Sequence, residues 1–135
     1  MSVKSYILIF LVVTVCVKLI SCNNDFSSTN DYLIGVDSIN APDSVLSDKP
    51  FDIVFFGIAG LNTCQKFKTF NISYNYKDVN IEAWGTDDSN GNPCGEGIVY
   101  LNGQIVTLSL FPPGQYRIIV NEPGNITLVK KIIVK

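Results

Sequence analysis

The chain has 135 residues, of which 47% are hydrophobic and 16% charged, with a net charge of -2 and no histidine. That length supports one domain, and so apolar a composition excludes a disordered chain. The acidic balance argues against a nucleic acid partner, because a phosphate-binding surface needs clustered Lys and Arg, and the missing His removes the commonest general base and a common metal ligand.

Lys4 opens the N-terminus, and an almost wholly apolar run from Ile7 to Val17 follows, closed by Lys18. At ~1.5 Å per helical residue the run spans about 17 Å, short of the ~30 Å hydrocarbon core of a bilayer. Its position and length fit a signal-peptide h-region rather than a membrane-spanning helix. The next residues, Leu19-Ile20-Ser21-Cys22, resemble the lipobox of bacterial lipoproteins. That resemblance implies cleavage after Ser21, a diacylglycerol thioether on Cys22 and, usually, an acylated new amino group. Each buried CH2 of such chains contributes about 0.8 kcal/mol to anchoring. Ordinary secretion, with cleavage after Ser21 or Cys22, is the competing reading, and Lys18 near the cut departs from the usual apolar approach.

Residues 1–21 are thus expected to be a signal peptide and 22–31 a lipidated Cys with a flexible tether. Apart from Phe26, the stretch from Cys22 to Asp31 is mostly polar and short in side chain, with low helix or strand propensity. Asn23 after the Cys is compatible with outer-membrane sorting in that family. Four cysteines then sort by position. Cys16 leaves with the leader, Cys22 is the lipid site, and Cys64 and Cys94 remain as an even pair in an exported domain, which reads as a disulfide. A zinc site fails on ligand count.

From Asp31 onward, apolar residues alternate with polar ones between turn signals. Candidate strands run over Tyr32–Ile39, from Phe51 to about Ile58, and along the row Phe70, Ile72, Tyr74 and Tyr76. After a Lys77-Asp78 turn come Val79, Ile81 and Ala83, then a short run at Ile98–Leu101. Val106, Leu108 and Leu110, led in by Asn102-Gly103, form the next row, followed by Tyr116, Ile118 and Val120. Ile126, Leu128, Ile132 and Val134 close the chain. No helical periodicity competes with this pattern. About seven short strands over residues 32–135 predict an all-β, two-sheet sandwich with inward apolar rows.

The segment Leu110-Phe111-Pro112-Pro113-Gly114-Gln115-Tyr116 resembles the L-x-P-G-x-Y corner of bacterial Ig-like and fibronectin III-like domains, matched at Leu110, Pro113, Gly114 and Tyr116. The resemblance implies an Ig-like β-sandwich in which the Tyr hydroxyl bonds back to upstream backbone. With the spacing of Cys64 and Cys94 it is similar to small exported lipoproteins of the Bacteroidetes type. The cysteines do not sit mid-strand around a Trp, so the disulfide is expected to join loops.

Candidate chemistry is thin, and the protein is not expected to be an enzyme. No His activates a Ser or Thr, and Lys66/Lys68 and Lys130/Lys131 read as solvated strand positions. Asp87, Asp88 and Glu96 share a turn-rich loop with no evident reason for shifted pKa values. As a calcium loop with Gly91 sixth, residues 86–97 place Thr86 first and Gly97 twelfth, so both essential carboxylates are missing. No cofactor or metal is expected. Trp84 lies on the outward parity of its strand and either stacks on a ligand or covers a sheet edge; Tyr100 is similarly ambiguous. Trp84, Asp87, Asp88 and Asn90 are the candidate ligand contacts. Asn71-Ile72-Ser73 and Asn125-Ile126-Thr127 match glycosylation acceptors, which matter only in a eukaryotic product.

The expectation from sequence is an exported, non-catalytic, lipid-anchored protein of the cell envelope, held at the outer membrane through Cys22. Its Ig-like domain would bind or organise an unidentified protein or carbohydrate. The alternative is a secreted inhibitor or ligand-binding protein using the loop around residues 84–96.

Overall fold

The computed structural model describes residues 30–109 and 112–135. The expected signal peptide, Cys22, the segment up to residue 29, and Leu110 of the corner motif lie outside them. The described residues form an all-β sandwich of two layers. In chain order the strands are β1 Asn30–Leu33, β2 Ser38–Asn40, β3 Ser44–Val45, β4 Phe51–Phe56, β5 Ile58–Asn62, β6 Gln65–Asn75, β7 Asp78–Asp87, β8 Glu96–Tyr100, β9 Gln104–Leu108, β10 Gly114–Glu122 and β11 Ile126–Val134.

The larger sheet is built around β7. One of its edges pairs with β6 over its whole length. Its other edge is shared end to end, with residues 78–82 pairing β10 and residues 84–87 pairing β1. The order then continues from β10 to β11 and β3. The β7–β10 and β11–β3 pairings are parallel, and the others in this sheet antiparallel. A parallel neighbour needs a crossover, and here β8 and β9 supply it by running through the opposite layer. That layer has the order β2-β4-β9, with β5 and β8 paired beyond it. Leu101 N–H donates to Gly57 O and Gly103 N–H to Phe55 O, so β4–β5 and β8–β9 behave as two long bent strands.

The inward rows meet in one core. Val79, Ile81 and Ala83 on β7, Ile118 and Val120 on β10, and Ile132 on β11 face Ile53 and Phe55 on β4 and Val106 and Leu108 on β9, all buried. These rows match the alternation expected from sequence. Among the described residues eleven strands stand where about seven were expected, largely because two of the expected runs are divided. The run Tyr32–Ile39 is split between layers. Ile34 N–H still bonds Ala83 O in the larger sheet, while Asp37 N–H bonds Phe56 O in the other, so the chain changes layers across Gly35 and Val36. Ile34 and Val36 are both buried in the crossing. The run from Phe51 is divided at Gly57 into β4 and β5. A Cβ at Gly57 would lie 2.8 Å from Gly35 O, so the crossing strand requires glycine there.

β6 and the start of β11 depart from the expected burial. Phe70 and Ile72 are only half-buried, Tyr74 is exposed, and Tyr76 falls outside the strand in the turn to β7. Ile126 is likewise exposed. Among the described residues β6 pairs with β7 alone, and Ile126 sits at the hairpin end of β11, opposite Glu122.

Candidate functional site

Trp84 has Thr69 of β6 on one side and Leu33 of β1 on the other. It is outward-facing, as its parity predicts, but half-buried. Its Nε1–H donates to Glu82 Oε2 at 3.0 Å, and Asn71 Nδ2 donates to the same oxygen at 3.3 Å. Its polar edge is therefore committed within the sheet. Behind it, Gly85 lets the Tyr32 ring lie against the strand, since a Cβ there would come within 2.5 Å of the ring. The Tyr32 hydroxyl donates to Ala59 O in the other layer. Burial, then the nearby Asp87 charge, raises its pKa above the ordinary phenol value, which keeps that donor protonated.

The loop after Trp84 brings Asp87, Asp88 and Asn90 together, tied down by the Cys64–Cys94 disulfide with Cα atoms 5.6 Å apart. The bridge joins the β5–β6 turn to the segment before β8, as expected of a loop-joining disulfide. Asp88 N–H donates to Cys64 O, and Thr63 and Gly95 exchange two further hydrogen bonds. Ser89 N–H donates to Asp87 Oδ1 at 2.9 Å and Gln65 Nε2 to Oδ2 at 3.2 Å. The Ser89 bonds above all, with Gln65 adding, hold the Asp87 carboxyl below the usual carboxylate range. Asp88 pairs with Lys66. Asn90 and Gly91 take φ of 45° and 78° in a tight turn closed by Asn92 N–H on Ser89 O, a conformation that Asn-Gly suits. The polar groups of Trp84, Asp87 and Asp88 thus serve the local structure. Among the described residues, no three His, Cys, Asp or Glu side chains gather as a metal cluster.

A second feature lies at the opposite end of β7, and sequence reading missed it. The β6–β7 turn, Tyr76-Lys77, stands beside β10 and β11 and closes one side of an open cleft of about 550 Å³. Asn75, Tyr76, Lys77, Asp78, Gln115, Arg117 and Lys131 line it. Asp78, Arg117 and Lys131 are side by side on three strands. Arg117 grips Asp78 with two bonds, Nε to Oδ1 at 2.7 Å and Nη2 to Oδ2 at 2.5 Å. The guanidinium holds the Asp78 carboxyl below its usual range, and Asp78 raises Arg117 in return. Arg117 N–H also donates to Lys77 O at 2.9 Å, fixing the turn to β10. One sequence signal marked the place: an aromatic at the end of an alternating row, directly before a Lys-Asp turn.

Comparison with protein families, curated proteins and solved structures finds no match.

Proposed function

We propose that this chain is an exported, lipid-anchored envelope protein whose sandwich is a non-catalytic binding module. The leader pattern and the lipobox-like Leu19-Ile20-Ser21-Cys22 support the anchor. The Cys64–Cys94 disulfide supports an oxidising compartment. β1 begins at Asn30, so the chain between Cys22 and the sandwich reaches at most roughly 28 Å. The domain would stand close to its membrane.

The observation that carries the non-catalytic reading is that the candidate site's polar groups are committed to its own structure: Trp84 Nε1–H to Glu82, the Asp87 carboxylate to Ser89 and Gln65, and Asp88 to Lys66.

Metabolic labelling with radioactive palmitate tests the anchor. The wild-type chain is expected to take up label and Cys22→Ala to lose it. Unlabelled wild-type protein released to the medium would instead support the secreted alternative.

A further inference from the structure

We propose that the cleft between the Tyr76-Lys77 turn and strands β10 and β11 binds an anionic saccharide, a sugar chain bearing carboxylate, sulfate or phosphate groups. The inference rests on the binding-module reading but not on the anchor.

Charge is the first argument. Three cations, Lys77, Arg117 and Lys131, line the cleft against a single carboxylate, Asp78. Asp78 occupies two of the guanidinium's N–H groups, leaving the others for a ligand. Among the described residues Lys77 and Lys131 have no salt-bridge partner. Lys131 sits directly opposite Arg117 on the neighbouring strand, where like charges destabilise a sheet. This cationic concentration belongs to a chain whose net charge is negative, so an anion would be drawn here selectively.

Tyr76 supplies the second argument. It has φ of 56° and is 90% exposed. It is the first residue of a two-residue hairpin turn, since Asn75 pairs with Asp78. Gly, Asn or Asp ordinarily fills a positive-φ turn position, and a bulky side chain there is an outlier. So exposed a ring gains little burial in return. Burial does not account for Tyr at this position, whereas a sugar ligand would: an exposed ring beside cations offers a stacking face next to charge-assisted donors.

The third argument is that the cleft is held in shape before any ligand arrives. Arg117 N–H pins the turn through Lys77 O. The Lys77 ammonium lies 5.7 Å from the Tyr76 ring centre and close over Gly114, where a Cβ would come within 2.9 Å of it. A volume of about 550 Å³ suits a small ligand or one or two residues of a longer chain.

Binding to full-length protein in mild detergent is the test, with four probes: an oligogalacturonate, a heparin-derived oligosaccharide, a neutral malto-oligosaccharide and inorganic sulfate. At least one acidic oligosaccharide is expected to bind more tightly than the neutral one and than sulfate, and to weaken with added salt. The oligogalacturonate and heparin arms separate a carboxylate from a sulfate ligand. Lys77→Ala with Lys131→Ala should weaken that binding at least tenfold, while Lys130→Ala, a cation paired with Asp43 outside the cleft, should leave it unchanged. Tyr76→Gly should weaken it at least fivefold yet melt no lower than the wild type, a split that a merely structural Tyr76 would not produce. Equal binding of the neutral chain, equal loss with Lys130→Ala, or sulfate binding as tightly as any saccharide would overturn the proposal. Failure of every probe would overturn it too, and would leave palmitate labelling, and so the anchor, untouched.

Discussion

The buried Tyr116 hydroxyl donates to the Pro112 carbonyl at 3.0 Å, four residues upstream. This bond closes the corner leading into β10, the strand that pairs with both β7 and β11. It is the contact that the L-x-P-G-x-Y resemblance implies. Tyr116→Phe keeps the ring and removes the donor. It is expected to lower stability by about 1 kcal/mol, read as a shift in the urea midpoint with unchanged slope.

Much of the sandwich was legible because β7 is paired along both edges and buried on one face. Val79, Ile81 and Ala83 therefore obey a strict alternation that can be read directly. The same rule could not divide Tyr32–Ile39, since Ile34 and Val36 share a parity whichever layer they enter. The loop candidates were legible by composition, but composition could not tell that Ser89, Gln65 and Lys66 would occupy Asp87 and Asp88. The cleft was hidden for a topological reason. Asp78 and Arg117, 39 residues apart, become neighbours only through the parallel β7–β10 pairing, which no local pattern encodes. Tyr76, with the parity of an inward row, is taken out of the strand by the turn.

Gly57 and Gly35 are predicted to differ sharply in their tolerance of alanine. A Cβ at Gly57 meets Gly35 O at 2.8 Å and Asp37 N at 3.1 Å, whereas one at Gly35 meets nothing within 4 Å. Gly57→Ala should cost roughly 1–3 kcal/mol by overpacking. Gly35→Ala should change the thermal midpoint little. Equal effects would contradict the close approach of the layer-crossing strand.

The Cys64–Cys94 bridge spans 30 residues of sequence. Replacing both cysteines by Ala should lower unfolding free energy by roughly 2–4 kcal/mol. Chemical denaturation of the double variant beside the oxidised wild type checks this, with reduced wild type expected to fall near the variant.

Acid should destabilise the domain in a window set by its bonded carboxyls. Asp43, Asp78 and Asp87 have native pKa values below their ordinary ones, through Lys130, Arg117 and Ser89 respectively. The unfolded chain binds protons at these groups first as pH falls. Their contribution is therefore complete above roughly pH 4–5 and is lost as pH drops through the native values. Asp87→Asn should flatten part of that decline in a thermal melt series from pH 6 to pH 2.

The N-terminus of the mature protein is the most direct test of the central claim, that this sandwich is carried on a lipid at Cys22. Intact mass spectrometry of the protein purified from the membranes of the cells that make it would decide the matter. The expected result is a chain starting at Cys22 with a mass increment of covalently bound acyl chains. A chain starting at Asn23, or one in which Cys22 carries no lipid, would contradict it.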